Sequence, residues 1–419
     1  MNYLCFLNFT MEYNLHELDN GIRIIHKQIP GKIAHCGFII NTGSRDELLS
    51  ESGIAHFIEH TIFKGTLKRK SHHILNRIDS VGGEINAYTT KEKTCVYASF
   101  VVDYFERATE LLSDILINST FPEKEIEKEK EVIIDEIHSY QDTPFEQIYD
   151  DFEEFVFANH SLGMNILGTE DSVNKINRDA ILNFINKNYS TNQIVFSIIG
   201  DVSEKKIKQI SKKYFETIPK KTNPLVRVDF NDYKPFQKSI EKDNYQSHCI
   251  LGNIAYGASD KKKPGFILLN NVLGGPAMNS RLNMTIREKY GYAYSVESSY
   301  TSYTNTGIFS IYLGTDQKYI NKSIALTLKE LKKLREIRFS SIQLHRAKVQ
   351  LLGQIALSEE NNTNIMLGIG KSLLNYGKVD SLEEVYEKIN LITANDLLEI
   401  SNEVFNEQQL STLIYQSKK

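Results

Sequence analysis

The order of strand-like and helix-like segments runs through the chain twice, and this repeat constrains the fold more than any single motif does. In the first run, residues 14–28 (NLHELDNGIRIIHKQ) are expected to form a hairpin turning at Asp19-Asn20-Gly21. Residues 33–42 (IAHCGFIINT) read as a buried strand, followed by a helix from about Ser52 that Gly65 stops. A short helix from Ser71 ends at Gly82-Gly83, and two strands follow at 84–90 and 94–101. Helical periodicity covers 103–118, 122–141, 145–158 and 170–188, and the apolar run at 193–202 closes the series as a strand. The segment 217–233 holds two prolines and clustered polar residues, as a linker would. The order then recurs: a strand at 246–256, a helix at 263–273, a Gly274-Gly275 break and a helix to about Tyr290. Strands near 292–301 and 306–314, helices over 316–404 and a closing strand at 410–416 complete it. The expected fold class is α+β, with two similar, duplicated domains, each a mainly antiparallel sheet covered by helices. They are residues 1–216 and 234–419, joined by the 217–233 linker. A length of 419 residues suits two cores better than one.

Composition narrows the range of functions. The net charge is −4 and the acidic and basic residues are interspersed, so no basic face marks a nucleic-acid partner. No apolar run approaches the roughly 20 residues of a membrane helix. The opening MNYLCFLNF is short, lacks a basic region and a small-residue cleavage site, and makes a poor signal peptide; Met11 is an alternative start. Cys5, Cys36, Cys95 and Cys249 are scattered without paired spacing, which fits a reducing, cytoplasmic setting.

The main chemical signal is GIAHFIEHTIFKG, residues 53–65. On a helix His56 and His60 stand one turn apart on one face, where both imidazoles can reach a single metal ion. Glu59, one residue before the second histidine, is placed to touch an activated water rather than the metal. This is the His-x-x-Glu-His order. Three fixed positions also occur by chance, and the motif alone does not decide between the two readings.

A catalytic zinc needs a third protein ligand. In PEKEIEKEKEVIIDEIHSY (122–140), Ile126, Ile133 and Tyr140 recur at seven-residue intervals and mark the inward stripe. Glu129 and Glu136 fall on that stripe, also seven apart, whereas Glu123, Glu125, Glu127 and Glu131 read as solvated. A carboxylate on a buried face is costly unless it is paired or metal-bound. Glu136 is therefore the expected ligand and Glu129 a carboxylate behind the site.

At this point the chain resembles the inverzincin metallopeptidases that include pitrilysin, insulin-degrading enzyme and the mitochondrial processing peptidases, above all the short bacterial relatives of the processing-peptidase β subunit. In that family a glutamate about 76 residues beyond the second histidine completes the zinc site, and Glu136 lies 76 beyond His60. Glu129 also matches a family carboxylate. The resemblance continues through GGEINAYTTKEKT (82–94), EKEVIIDEI (129–137), HSLGMNILG (160–168) and LGGPAMNSRLNMTIREKYGYAYSV (273–296). It implies one Zn2+ per chain and peptide hydrolysis with Glu59 as general base. Arg287 and Tyr294, seven apart, match an Arg/Tyr pair that the family uses at its active site. The resemblance also implies that Asn86, Ala87 and Tyr88 lie beside the zinc, where an exposed strand edge would take an extended peptide; an ordinary core strand is the alternative, above all for Tyr88. Short family members pair, which implies a homodimer, with a hetero-oligomer as the alternative. A non-catalytic or partner-dependent subunit of the same fold is the rival to a self-sufficient enzyme. His72-His73, His35, His248, His138 and the lysines at 261–263 are expected to be packing or surface residues.

Overall fold

The computed structural model describes residues 13–418; Cys5 and the alternative start at Met11 lie outside them. The described residues form two compact units, each built on one sheet. The first sheet contains β1 (Tyr13–Glu17), β2 (Arg23–Gln28), β3 (Ile33–Ile40), β4 (Glu84–Thr89), β5 (Thr94–Val101) and β6 (Ile194–Gly200), in the order β1-β2-β6-β3-β5-β4. The second contains β7 (Gln237–Lys242), β8 (Ser247–Ala255), β9 (Ala293–Ser302), β10 (Gly307–Thr315) and β11 (Ser411–Ser417), in the order β7-β11-β8-β10-β9. Each sheet is antiparallel apart from one parallel pair, β2 with β6 and β7 with β11. The chain is α+β and duplicated.

Central strands are apolar on both faces because helices cover both. β6 is buried along its whole length, as expected of a strand sandwiched between helical layers. On one side of the first sheet Phe38, Phe196 and Phe215 form a trio of rings with centroids 4.8–5.0 Å apart. On the other, Ile39, Val195 and Ile199 meet Met366, Ile369 and Leu373.

Those last three residues belong to the Asn362–Tyr376 helix, far along the chain from the sheet that they cover. Each compact unit is therefore assembled from segments that are not contiguous along the chain. The first comprises residues through Asp135, Met164–Arg227 and Ser358–Glu384; the second comprises Glu136–Gly163, Val228–Leu357 and Val385 onward. The chain crosses between units at 227/228, inside the expected linker, but the linear division at 216 and 234 misses two exchanged segments. The exchange is reciprocal. The Pro144–Val156 helix joins the second unit, where Ile148, Phe152 and Val156 pack with Ile250, Leu413 and Tyr415.

Local corrections have local causes. The stretch 170–188 is two helices, Glu170–Lys175 and Arg178–Asn188, because Asn177 leaves the helix and its Oδ1 accepts the Ala180 N–H at 2.9 Å. The Glu204–Phe215 helix and β7 lie outside the sequence expectation. The former shows only a narrow apolar stripe (Ile207, Ile210, Phe215) among charges, and β7 is largely exposed and defined by its pairing with β11.

Candidate metal centre

The helix bearing the motif, Ile54–Thr61, buries Ile54, Ala55, Phe57 and Ile58. This anchors its apolar face and turns His56, Glu59 and His60 toward a common side. The two imidazole rings meet edge to face, 4.5 Å between centroids. The third participant comes from the Glu123–Gln141 helix, entered through Phe121, a buried residue held at φ 46°. Ile126, Ile133 and Ile137 bury one stripe of that helix, and Glu129 lies on the same stripe, 6% exposed.

Glu129 is satisfied from two directions. His60 Nδ1 is 3.0 Å from its Oε1, and Lys64 Nζ is 2.7 Å from its Oε2. Burial pushes the Glu129 carboxyl up, but the His60 and Lys64 donors outweigh it and hold the group below its ordinary range. The same helix continues unbroken to Gln141. Two turns past Glu129 it brings Glu136 to the histidines: ligand atoms of His56, His60 and Glu136 all lie within 4.8 Å of one another. Among the described residues this is the one such group with ligand-like spacing. Burial, reinforced by the charge of His60, pushes His56 down to about 3. Its imidazole is then neutral at ordinary pH, the form that binds a metal. Two imidazoles and one carboxylate at this spacing fit Zn2+. Glu59 stands on the same helix, and its carboxylate adds to the burial that raises the Cys95 thiol and the Tyr189 hydroxyl.

β4 is an edge strand among the described residues, paired only with β5. Thr89 Oγ1 donates to Ala55 O at 3.4 Å, which ties the strand to the motif helix. Along it Asn86 is exposed and Ala87 partly so. Tyr88 packs on the apolar cluster of Ile39 and Cys95, with Lys371 Nζ 5.0 Å from its ring centroid. Arg287 and Tyr294 stand on different elements of the second unit, a π-helical segment (Asn283–Lys289) and the start of β9. Both side chains are exposed.

The remaining histidines have ordinary roles. His35 Nδ1 bonds Ser99 and Thr363, His248 Nδ1 bonds Tyr312, and the rings of His72 and His73 lie tilted against each other, 3.9 Å between centroids. Lys64 went unnoticed in the sequence, although its position four residues past His60 was a usable signal. The triplet Arg45-Asp46-Glu47, with its buried side chains, also went unnoticed; three consecutive charges a few residues after a buried strand were its only mark.

Comparison with known proteins identifies the family. Residues 23–170 match the family model described as Insulinase (Peptidase family M16), and residues 175–351 the one described as Peptidase M16 inactive domain. An uncharacterised zinc protease of Bacillus subtilis, YmxG, is 34% identical over 398 residues, covering 94% of this chain and 96% of that protein. The chain belongs to peptidase family M16. Another relative, the mitochondrial-processing peptidase subunit beta of Saccharomyces cerevisiae, is 30% identical over 406 residues, 92% of this chain and 87% of that one. A solved protease from Helicobacter pylori shares the fold with a TM-score of 0.88 at 20% identity, over 97% of this chain and 99% of that one. The segment matching the M16 inactive domain contains no His-x-x-Glu-His sequence.

Proposed function

We propose that this protein is a zinc-dependent endopeptidase that hydrolyses extended or unfolded peptides, presequence-like segments among them. The observation that carries the reading is the convergence of His56, His60 and Glu136 with Glu59 on the same helix. His56, His60 and Glu136 would hold the ion. Zn2+, when bound, lowers the pKa of a water and polarises the scissile carbonyl. Glu59 accepts the proton of the attacking water and passes it to the leaving nitrogen. Glu129 takes the Nδ1 side of His60, so the ligand role falls to Nε2, and Lys64 keeps Glu129 ionised for that task. The β4 edge offers main-chain groups to an extended substrate, with Asn86 and Ala87 along it. Tyr88 contributes by setting the strand on the core. Arg287 and Tyr294 supply donors to the developing oxyanion across a homodimer.

The test compares wild type with Glu59→Gln on a mixture of unstructured peptides, with zinc measured in both. Cleavage by the wild type alone, at equal zinc content, is the expected result; equal cleavage by both removes Glu59 from the chemistry. A second reading, a subunit that cleaves only with a partner, draws on the yeast relative that is itself named a subunit. Mixing Glu59→Gln with an Arg287→Ala/Tyr294→Phe protein separates the two. Restored activity supports the homodimer, and zinc-loaded wild type without cleavage supports the partner-dependent subunit.

A further inference from the structure

We propose that Glu47 is a positioning residue for the metal centre: its buried carboxylate fixes the N-terminus of the Ile54–Thr61 helix and so the angle at which His56, Glu59 and His60 enter the site. The inference rests on the metallopeptidase reading above and extends it to a residue that touches neither metal nor substrate.

The motif helix has only eight residues. A helix this short does not hold itself together in water, and its first four N–H groups have no partners within it. Its N-cap is Gly53, in the left-handed region at φ 89°, and a glycine has no side chain with which to cap. Glu47 does the capping from six residues upstream. Gly53 N–H donates to Glu47 Oε2 at 2.9 Å and Ala55 N–H donates to Oε1 at 2.8 Å. Both oxygens are used, and the second bond ends on the residue directly before His56. Glu47 is 5% exposed; burial pushes its carboxyl well up from the ordinary range against the pull of the Ala55 and Gly53 N–H donors, so the two short hydrogen bonds, not a full charge, hold the helix terminus.

The surroundings leave room for no other cap. A Cβ at Gly53 would lie 2.7 Å from Leu167 O, and one at Gly168 would lie 2.6 Å from Ser52 O. The backbone of 167–168 is thus pressed against the helix start, and a bulkier residue at Gly53 would displace it. Glu47 is itself held by its neighbours. Arg45 Nη1 meets Glu92 Oε1 at 2.6 Å, and Arg227 grips Asp46 through Nε and Nη2 at 2.9 and 2.8 Å. Ser44 and Arg45 N–H donate to Thr90 and Lys91 carbonyls in the turn between β4 and β5. The triplet Arg45-Asp46-Glu47 therefore links the motif helix to the turn that ends the candidate substrate strand. In a two-turn helix, a shift at the first turn carries both histidines with it.

Glu47→Gln tests the role with minimal change of shape. A glutamine has one acceptor oxygen and turns an NH2 toward the second backbone N–H, so one of the two bonds is lost. Zinc affinity is measured by chelator competition on the full-length protein, alongside circular dichroism, kcat and KM. The expected outcome is a folded protein that binds zinc about tenfold to a hundredfold more weakly, with kcat reduced at saturating zinc and KM unchanged. Ile74→Ala, in the Ser71–Asp79 helix of the same unit, serves as a control that lowers Tm while leaving zinc affinity as in wild type. The proposal is overturned if Glu47→Gln binds zinc within twofold of wild type, or if the control weakens zinc equally. Wild type that binds zinc yet cleaves nothing refutes the self-sufficient peptidase alone, since the zinc measurement still judges Glu47. Wild type that binds no zinc refutes both.

Discussion

Apart from the extra strand β1 in the first, the two units share a sheet topology down to the parallel strand pair, and they differ in what they bury. In the first, the helix after β3 carries His56, Glu59 and His60, and the interior holds Arg45, Glu47, Glu92, Lys93 and Glu129. In the second, the helix after β8, Lys263–Gly274, buries Phe266, Leu268, Leu269 and Leu273 and carries no potential ligand. One frame thus supports a charged, costly interior and also an ordinary apolar core. The sheet order demands neither; the chemistry is added to the frame by a few side chains. Several of the buried charges in the first unit have close partners, as Arg45 has Glu92, Arg227 has Asp46 and Glu129 has His60 and Lys64.

This contrast can be broken most severely at the ligands. His56→Ala is expected to weaken zinc binding by at least about a hundredfold and to bring cleavage to background, read by metal analysis and peptide assay. If zinc is retained, the first unit does not owe its charge to a metal. The complementary change is Leu269→Ala in the second unit. It should cost about 2–5 kcal/mol in urea unfolding followed by circular dichroism, with zinc stoichiometry unchanged in the folded protein. Chelation sharpens the comparison further. Removing zinc held at a hundred times its Kd withdraws about 2.7 kcal/mol from the state that binds it. Hydrogen exchange should accordingly quicken in 54–61 and 123–141 and stay constant in 263–274.

The smallest effect concerns the stability cost of the first unit's charges. Burial brings Lys93 down to about 8 from the ordinary lysine value, despite the attraction of Glu92. The folded state then binds this proton less tightly than the unfolded chain does. The cost is complete below pH 8 and is relieved as pH rises toward the unfolded value of about 10.4. Lys93→Met is expected to stabilise the protein by roughly 1–2 kcal/mol at pH 7, and its advantage should vanish above about pH 10. A denaturation series against pH checks both the sign and the window.

Much of the candidate metal centre was legible because helical periodicity is local. Spacing alone put His56 with His60 and Glu129 with Glu136, and the seven-residue recurrence of Ile126, Ile133 and Tyr140 showed which face turned inward. What spacing could not show was that the two helices would meet, which the family resemblance implied and the fold displays. The capping role of Glu47 was hidden for a related reason. A cap six residues upstream, across a bend, leaves no periodic trace, and nothing in GSRDE distinguishes a buried carboxylate from a solvated one.

The sequence by itself determined the element order, its repetition, the inward faces of the helices and the residue types able to bind zinc. All of these follow from interactions between residues a few positions apart. Only the tertiary structure decided that the Asn362–Tyr376 and Pro144–Val156 helices would change units, that β4 would be an edge, and that Glu47 would close the end of the motif helix. Those outcomes depend on which distant surfaces exclude water from one another and which buried polar groups find partners. That selection is made among whole folded arrangements, not within any segment of the chain.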